Sequence, residues 1–308
     1  MPQNVRTIAI GNYGVTQALK RQVVDTGRLR LKHIEIEPIT TAMRRMVRGL
    51  EFDICEMAIT TYLCAKDRGL PVTAIPVFVT RNFHHWAAFT TPQSGIKTPK
   101  DLEGRRVAVN RGYTVTTGVW VRGIFAEQYG LDLDRVTWVP TDDEHVLDFP
   151  YPANVDLSCR GKSAADLVLN GNCAAAIGDV KSTLPGLSPL IPDARNVGLA
   201  SYARGGVYPI NHTVVVRDVL LEELPSLAAD LCAAFSRSKA IYYTHLASND
   251  VASPADAAAR EIRDGLGIEP FPFGVEANLP ALEAIISYAA AQKIISRARP
   301  AAHWFAMT

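Results

Sequence analysis

Two histidines stand side by side in the stretch TRNFHHWAAFT, residues 80–90, with Arg81 three positions before the first. His84 and His85 follow an apolar run, VTAIPVFV at 72–79, that reads as a buried strand. A third histidine, His212, stands beside Asn211 at the head of another strand-like run, HTVVVRD. Glu56 interrupts the apolar DICEMAI, where a carboxylate costs free energy unless it is paired. Imidazoles hold and release protons near pH 7, and a carboxylate beside them acts as base or acceptor. These four residues are the candidates for acid–base catalysis. Each has a structural rival: a packed or capping histidine, or a buried ion pair for Glu56.

In a regular strand successive side chains point to opposite faces. One of His84 and His85 is therefore expected to face a site and the other the scaffold. The same groups have a competing use. His84 or His85, His212 and either Glu56 or Asp179 could hold a divalent ion. No compact HxH or HxxE spacing accompanies them, so the expected chemistry uses no cofactor.

A second set of residues suits an anion. Arg81 and Arg111 each follow a strand and can pair with a carboxylate in bidentate fashion. Tyr113, Thr114, Thr116 and Thr117 lie where a strand gives way to a helix, and hydroxyls and free amides at a helix N-terminus attract carboxylates. Plain N-capping uses the same geometry. Thr60, Asn211 and Asp179, with Asn12, Tyr13, Thr16 and Thr61, also fall at or near strand ends and complete the substrate-binding candidates.

The elements that must position these groups alternate. TIAIG (7–11), LKHIEIEPI (31–39), FDICEMAI (52–59) and VTAIPVFV (72–79) read as strands separated by helical patterns. That order predicts an α/β fold with a doubly wound sheet. A second unit begins at KTPKDLEGRR, with strands at 106–110, 137–140 and 173–179 and a helix at 163–171. After a strand at 212–218, the remainder reads as helices over roughly 222–247, 254–266 and 276–295. In doubly wound sheets ligands bind beyond the carboxyl ends of the strands, and two facing lobes form one cleft.

Composition narrows the function classes. The 308 residues are 48% hydrophobic and 20% charged, with 32 basic against 31 acidic side chains and a net charge of +1. No whole-protein field for nucleic acid or a membrane surface is built in. No uncharged run reaches membrane-spanning length. The start, MPQN, has no secretory pattern, and five cysteines at unpatterned spacings read as reduced thiols. The expected setting is cytoplasmic.

The residues also carry a resemblance. Two α/β lobes, the second entered through KTPKDLEGRRVAV, resemble the type II periplasmic-binding-protein-like fold. The stretches YGVTQALK (13–20), FDICEMAITTYLCAKDRG (52–69), IPVFVTRNFHHWAAF (75–89), YPINHTVVV (208–216) and FPFGVEANLPALEAIISYAAAQKIISR (271–297) resemble the 4,5-dihydroxyphthalate decarboxylases. Segment 141–162 matches no part of that pattern. The resemblance implies a discontinuous first lobe, 1–102 with 208–308, and a second lobe over 103–207. The chain then crosses between the lobes twice, side by side, which brings Asn211 and His212 close to 81–86. It also implies a small aromatic dicarboxylate as substrate, its decarboxylation to protocatechuate, and a homo-oligomer. Loss of carbon dioxide from such a ring needs an acid near the leaving carbon and a base near a para hydroxyl. Two rivals share the fold: a non-catalytic solute-binding protein for an aromatic acid, and a menaquinone-route enzyme.

Overall fold

A computed structural model describes residues 5–180, 184–248 and 253–306; the MPQN start lies outside them. The first sheet holds β1 (Val5–Ala9), β2 (Arg30–His33), β3 (Ile54–Ala58), β4 (Val72–Arg81) and, from far along the chain, Ile210–Arg217. The second holds β5 (Ala88–Thr90), β6 (Arg106–Val109), β7 (Thr137–Pro140), β8 (Ala175–Ile177) and β9 (Ser188–Pro189). The returning strand Ile210–Arg217 is thus β10. The orders are β2-β1-β3-β10-β4 and β7-β6-β8-β5-β9. In each sheet the strand that arrives across the gap runs antiparallel to its neighbours: β10 to β3 and β4, and β5 to β8 and β9.

The helices are α1 (Gly14–Lys20), α2 (Ile39–Gly49), α3 (Ile59–Asp67), α4 (Thr116–Tyr129), α5 (Ala164–Leu169), α6 (Ala194–Gly205), α7 (Asp218–Glu223), α8 (Leu227–Ala247), α9 (Pro254–Arg260) and α10 (Leu279–Ala291). Sequence pattern explains their placement. In α2, Ala42, Met43, Met46 and Val47 recur at helical spacing and are buried, which turns Arg44 and Arg48 outward. The α1–α8 layer covers one face of the first sheet through Val15, Leu19, Leu231 and Phe235. A larger apolar cluster runs from the other face of that sheet into the second lobe through Trp120, Trp138 and Ile285.

The two crossings lie side by side. The amide of Asn82 donates to the Pro209 carbonyl at 3.3 Å, and Ile210 pairs with Arg81. The sheet change comes earlier than expected, because Ala88–Thr90 already pairs in the second sheet rather than belonging to a lobe that ends at 102. A three-residue strand carries too little alternation to announce itself. The expected helix at 222–247 is also two helices, α7 and α8, divided at Leu224 to Ser226 around Pro225.

Strand β4 carries Pro76, which has no N–H for a ladder. It lies on the sheet edge, where that loss is tolerated. The β10–β4 register slips between Thr213 and Val214. There the buried Thr213 hydroxyl lies 3.1 Å from the Ile75 carbonyl and 3.2 Å from that of Val77. Thr213→Val keeps the shape and removes that donor. It is expected to cost about 1–3 kcal/mol in urea unfolding, and a variant as stable as the parent would show that the hydroxyl carries no weight.

Candidate active site

Glu56 is fully buried on β3. Val214 of β10 stands directly opposite it, so His212, two residues earlier on the same face, is its diagonal neighbour. That register brings His212 Nδ1 to 2.6 Å from Glu56 Oε1. The same carboxylate accepts the Gly11 amide at 2.7 Å and the Tyr13 hydroxyl at 2.8 Å. Burial, and then the charge of Glu56, drive the Tyr13 phenol far above its ordinary range, so it stays a protonated donor. With three donors on the carboxylate, His212 Nδ1 carries the proton it shares, and the opposite nitrogen is left for chemistry. His212 lines the cleft between the lobes.

Around it the cleft is walled by Thr40, Arg44 and Thr61 of the first lobe and by Arg111, Thr114, Thr116, Thr117, Glu144 and His145 of the second. Asn211 completes it at the return crossing. Arg111 has a left-handed φ of 74°, a conformation that non-glycine residues seldom adopt and that tends to persist at functional sites. Among the described residues, its guanidinium has no hydrogen bond or ion pair. Thr116 and Thr117 open α4, whose first-turn amides have no partner within the helix.

Segment 141–162, which the sequence left unplaced, supplies the floor. The buried Glu144 accepts the Tyr113 amide at 2.5 Å, the Thr114 amide at 3.0 Å and the Thr114 hydroxyl at 2.5 Å. Part of the expected anion cradle is therefore filled from within the chain. Gly112 permits it: a Cβ there would lie 2.6 Å from the Glu144 carboxylate. His145 Nδ1 lies 3.3 Å from the Thr61 hydroxyl. Burial, and then Arg44, Arg111 and Arg48, hold its pKa down to about 4, so it is neutral at pH 7. Arg48 fixes this loop by donating to the carbonyls of Glu144 at 2.8 Å and His145 at 3.2 Å. His145 was missed, although it lies just past β7, where the rule of carboxyl strand ends would have nominated it.

Several nominated residues lie elsewhere. The strand stops at Arg81, so alternation does not apply at 82–87, and neither His84 nor His85 lines the cleft. Both are buried. His84 stacks on Trp120, with ring centres 6.3 Å apart, and bonds Asn211 Oδ1 at 3.0 Å. It touches the cleft only through Asn211. His85 lies in a separate cavity, 3.0 Å from Gln128 Oε1. Arg81 turns away, stacks on Tyr208 and binds the Tyr208 carbonyl and Asn278. Tyr113 points into the core, where the buried Arg122 lies 4.1 Å over its ring. Thr60 bonds the Thr114 carbonyl at 2.7 Å and the Thr116 hydroxyl at 2.8 Å, tying the lobes together behind the cleft. Asp179 is exposed and outside the cleft. Thr16 bonds the Gly11 carbonyl at 2.7 Å, and Asn12 and Tyr13 line a different cavity against α8. The postulated metal set is thus dispersed: only Glu56 and His212 meet. Among the described residues no three His, Cys, Asp or Glu side chains cluster as metal ligands, and no helix is long and apolar enough to cross a membrane.

Comparison with known proteins relates the chain to both enzymes and binding proteins. Residues 41–168 match the family described as NMT1/THI5 like. A 4,5-dihydroxyphthalate decarboxylase from Comamonas testosteroni is 27% identical over 94% of this chain and 93% of its own. Another from Pseudomonas putida is 29% identical over 56% of this chain and 69% of its own. Among solved structures, the periplasmic aliphatic sulphonate binding protein SsuA from Escherichia coli superposes with a TM-score of 0.57, at 13% identity, over 98% of this chain and 97% of its own. The fold is periplasmic-binding-protein-like, with an α/β sheet in each lobe, and the chain is a relative of the 4,5-dihydroxyphthalate decarboxylases.

The site makes stability depend on pH. Burial is the main cause that lowers the His84 pKa from 6.5 to about 4. Between those values the unfolded chain binds the proton and the folded chain does not, so stability rises with pH across that window and falls on acidification. His84→Gln keeps a partner for Asn211 and removes the titration. It is expected to flatten the slope by up to about 1.4 kcal/mol per pH unit, read from urea unfolding at several pH values. An unchanged slope would mean that His84 does not titrate in this way.

Proposed function

We propose that this relative of the 4,5-dihydroxyphthalate decarboxylases is itself an aromatic carboxy-lyase, converting 4,5-dihydroxyphthalate or a close analogue to protocatechuate and carbon dioxide. The observation that carries the reading is the Glu56–His212 pair, buried on one side and open to the cleft on the other. The Nδ1 bond to Glu56 fixes the His212 ring, so that Nε2 is the atom left to transfer a proton.

The residues fit a division of labour. One substrate carboxylate is held by the unpaired Arg111 and the free amides at the start of α4. His212 Nε2 delivers its proton to the ring carbon that bears the other carboxylate. The neutral His145 takes the proton of the hydroxyl para to that carbon, which leaves a dienone. The carbon–carboxylate bond then breaks, carbon dioxide leaves, and the bond's electron pair restores the aromatic ring. The phenol oxygen recovers its proton from His145, and His212 is reprotonated from solvent. One proton is consumed and one carbon dioxide is released. Asn211, held by His84, borders the same space and positions the ring.

Incubation of the purified protein with 4,5-dihydroxyphthalate, with and without a chelator, tests this by assay of carbon dioxide and protocatechuate. Binding without turnover would leave a solute-binding protein, and a different product would point to another enzyme of this fold. His212→Gln is expected to cut kcat by roughly 100- to 10,000-fold while folding and binding survive, the usual cost of losing a positioned proton donor. A variant with near-parental kcat would remove His212 from the chemistry. Arg111→Ala should raise KM more than it lowers kcat, because the carboxylate contact is common to ground and transition states. An unchanged KM would place the anchor elsewhere.

A further inference from the structure

The proposed reaction leaves its departing carboxylate with a proton donor near the carbon but without an anchor. Arg111 and the start of α4 take the other carboxylate from the second lobe. The first lobe's wall of the same cleft is made in part by Thr40 and Arg44. These lie four residues apart on α2, so their side chains share one face of the helix. Thr40 is half-buried beside the cleft, and its hydroxyl makes no hydrogen bond among the described residues.

Arg44 holds only a weak partner. Its guanidinium lies 3.3 Å from the Asp142 carboxylate, and the two side chains are 36% and 52% exposed. Exposed pairs of this kind contribute little. Asp142 is not part of the cleft lining, so Arg44 stands between the rim and the cavity. The neighbouring acids are already engaged: Asp143 pairs with Arg160 at 3.3 Å, and Glu144 accepts the amides of Tyr113 and Thr114. Arg48, one turn further along α2, donates to the carbonyls of Glu144 and His145. Arg44 is therefore the cation of this helix face that is able to change partners. Asp142 also ties it to the opposite anchor, because the Asp142 amide donates to the Arg111 carbonyl at 3.2 Å. The charges of Arg44 and Arg111 both reach His145. Among the described residues, Asp142 is the one acid paired with either of these two guanidinium groups.

We infer that Thr40 and Arg44 form the subsite for the second carboxylate of the substrate, and that Arg44 exchanges Asp142 for that carboxylate on binding. The inference rests on the carboxy-lyase reading for the class of substrate, and adds the residues that select an ortho-dicarboxylate over a monocarboxylate. A planar guanidinium takes both oxygens of a carboxylate, and the Thr40 hydroxyl donates to one of them. Inside the cleft the new pair is less screened by water than the old one at the rim. Its hold is on the ground state, so it selects the substrate and does not drive the bond cleavage.

Calorimetric titration with phthalate and with benzoate tests this without turnover, because neither has the hydroxyl that the proposed chemistry needs. In the parent, phthalate is expected to bind at least about tenfold more tightly than benzoate, a difference of about 1.4 kcal/mol. Arg44→Gln should remove most of that preference by weakening phthalate. It should leave benzoate unchanged, since a single carboxylate takes the unpaired Arg111. Thr40→Val, which changes no charge, should also weaken phthalate. Asp142→Asn keeps the side-chain acceptor for the Asp143 amide, 2.8 Å away, and removes the competing anion, so phthalate should bind more tightly. A preference that survives Arg44→Gln, equal losses of phthalate and benzoate in that variant, phthalate unaffected by Thr40→Val, or phthalate no tighter in Asp142→Asn would each overturn the subsite. So would the absence of phthalate binding to the parent at millimolar concentration. A protein that shows the expected binding but releases no carbon dioxide from 4,5-dihydroxyphthalate keeps the subsite and loses the lyase reading. One that releases carbon dioxide but shows no preference for phthalate does the reverse.

Discussion

The organisation of the site depends on one buried carboxylate. Glu56 sits in the centre of the first sheet with no water to solvate it, and three donors converge on it from β10, from the loop after β1 and from the start of α1. None of the three is local in sequence. The pairing of β10 against β3 is therefore a chemical requirement as well as a packing preference: a slip of one residue would turn His212 to the other face and leave Glu56 short of a partner. The antiparallel return of the chain into the first sheet is what places an imidazole against an acid at a strand end.

A second constraint closes the cleft from the opposite side. The loop after β7 is irregular, yet it is held by specific bonds. Arg48 grips its carbonyls, Arg44 pairs with Asp142 at 3.3 Å, and Glu144 folds back onto the amides before α4. Surface pairs such as Arg44–Asp142 contribute little alone. The buried Glu144 contacts are charge-assisted and worth more. They also set the neighbourhood of His145, because arginines from α2 and from the loop after β6 surround a histidine that burial already disfavours charging. Two histidines thus face one cleft in opposed environments, His212 beside a carboxylate and His145 beside arginines.

Much of this was legible in the sequence. The alternation of strands and helices marked two α/β lobes, the apolar setting of Glu56 marked it as a group in need of a partner, and the resemblance to the binding-protein-like fold implied a return crossing that brings Asn211 and His212 close to 81–86. What failed has definite physical causes. His84 and His85 were read by strand alternation, but the strand ends at Arg81 and the crossing obeys no period. Arg81 and Tyr113 were read as facing a ligand because they follow strands, while cation–π stacking on Tyr208 and the packing of Arg122 turned them inward. β5 was too short to show a pattern. His145 and Glu144 lie in a loop held by side chain–backbone bonds, which leave no periodic trace.

The adjacent histidines nonetheless have a joint physical logic. His84 stacks on Trp120 and reaches Asn211, and the indole nitrogen of Trp120 donates to the Ile210 carbonyl at 2.8 Å. Trp120 also lines the rear cavity that holds His85. One indole is therefore shared between a chain of contacts that ends in the cleft and a cavity that opens behind it. Both histidines are buried with one nitrogen bonded and the other bare, a costly arrangement to maintain twice in a connecting segment. For His84 the cost accompanies the placement of Asn211.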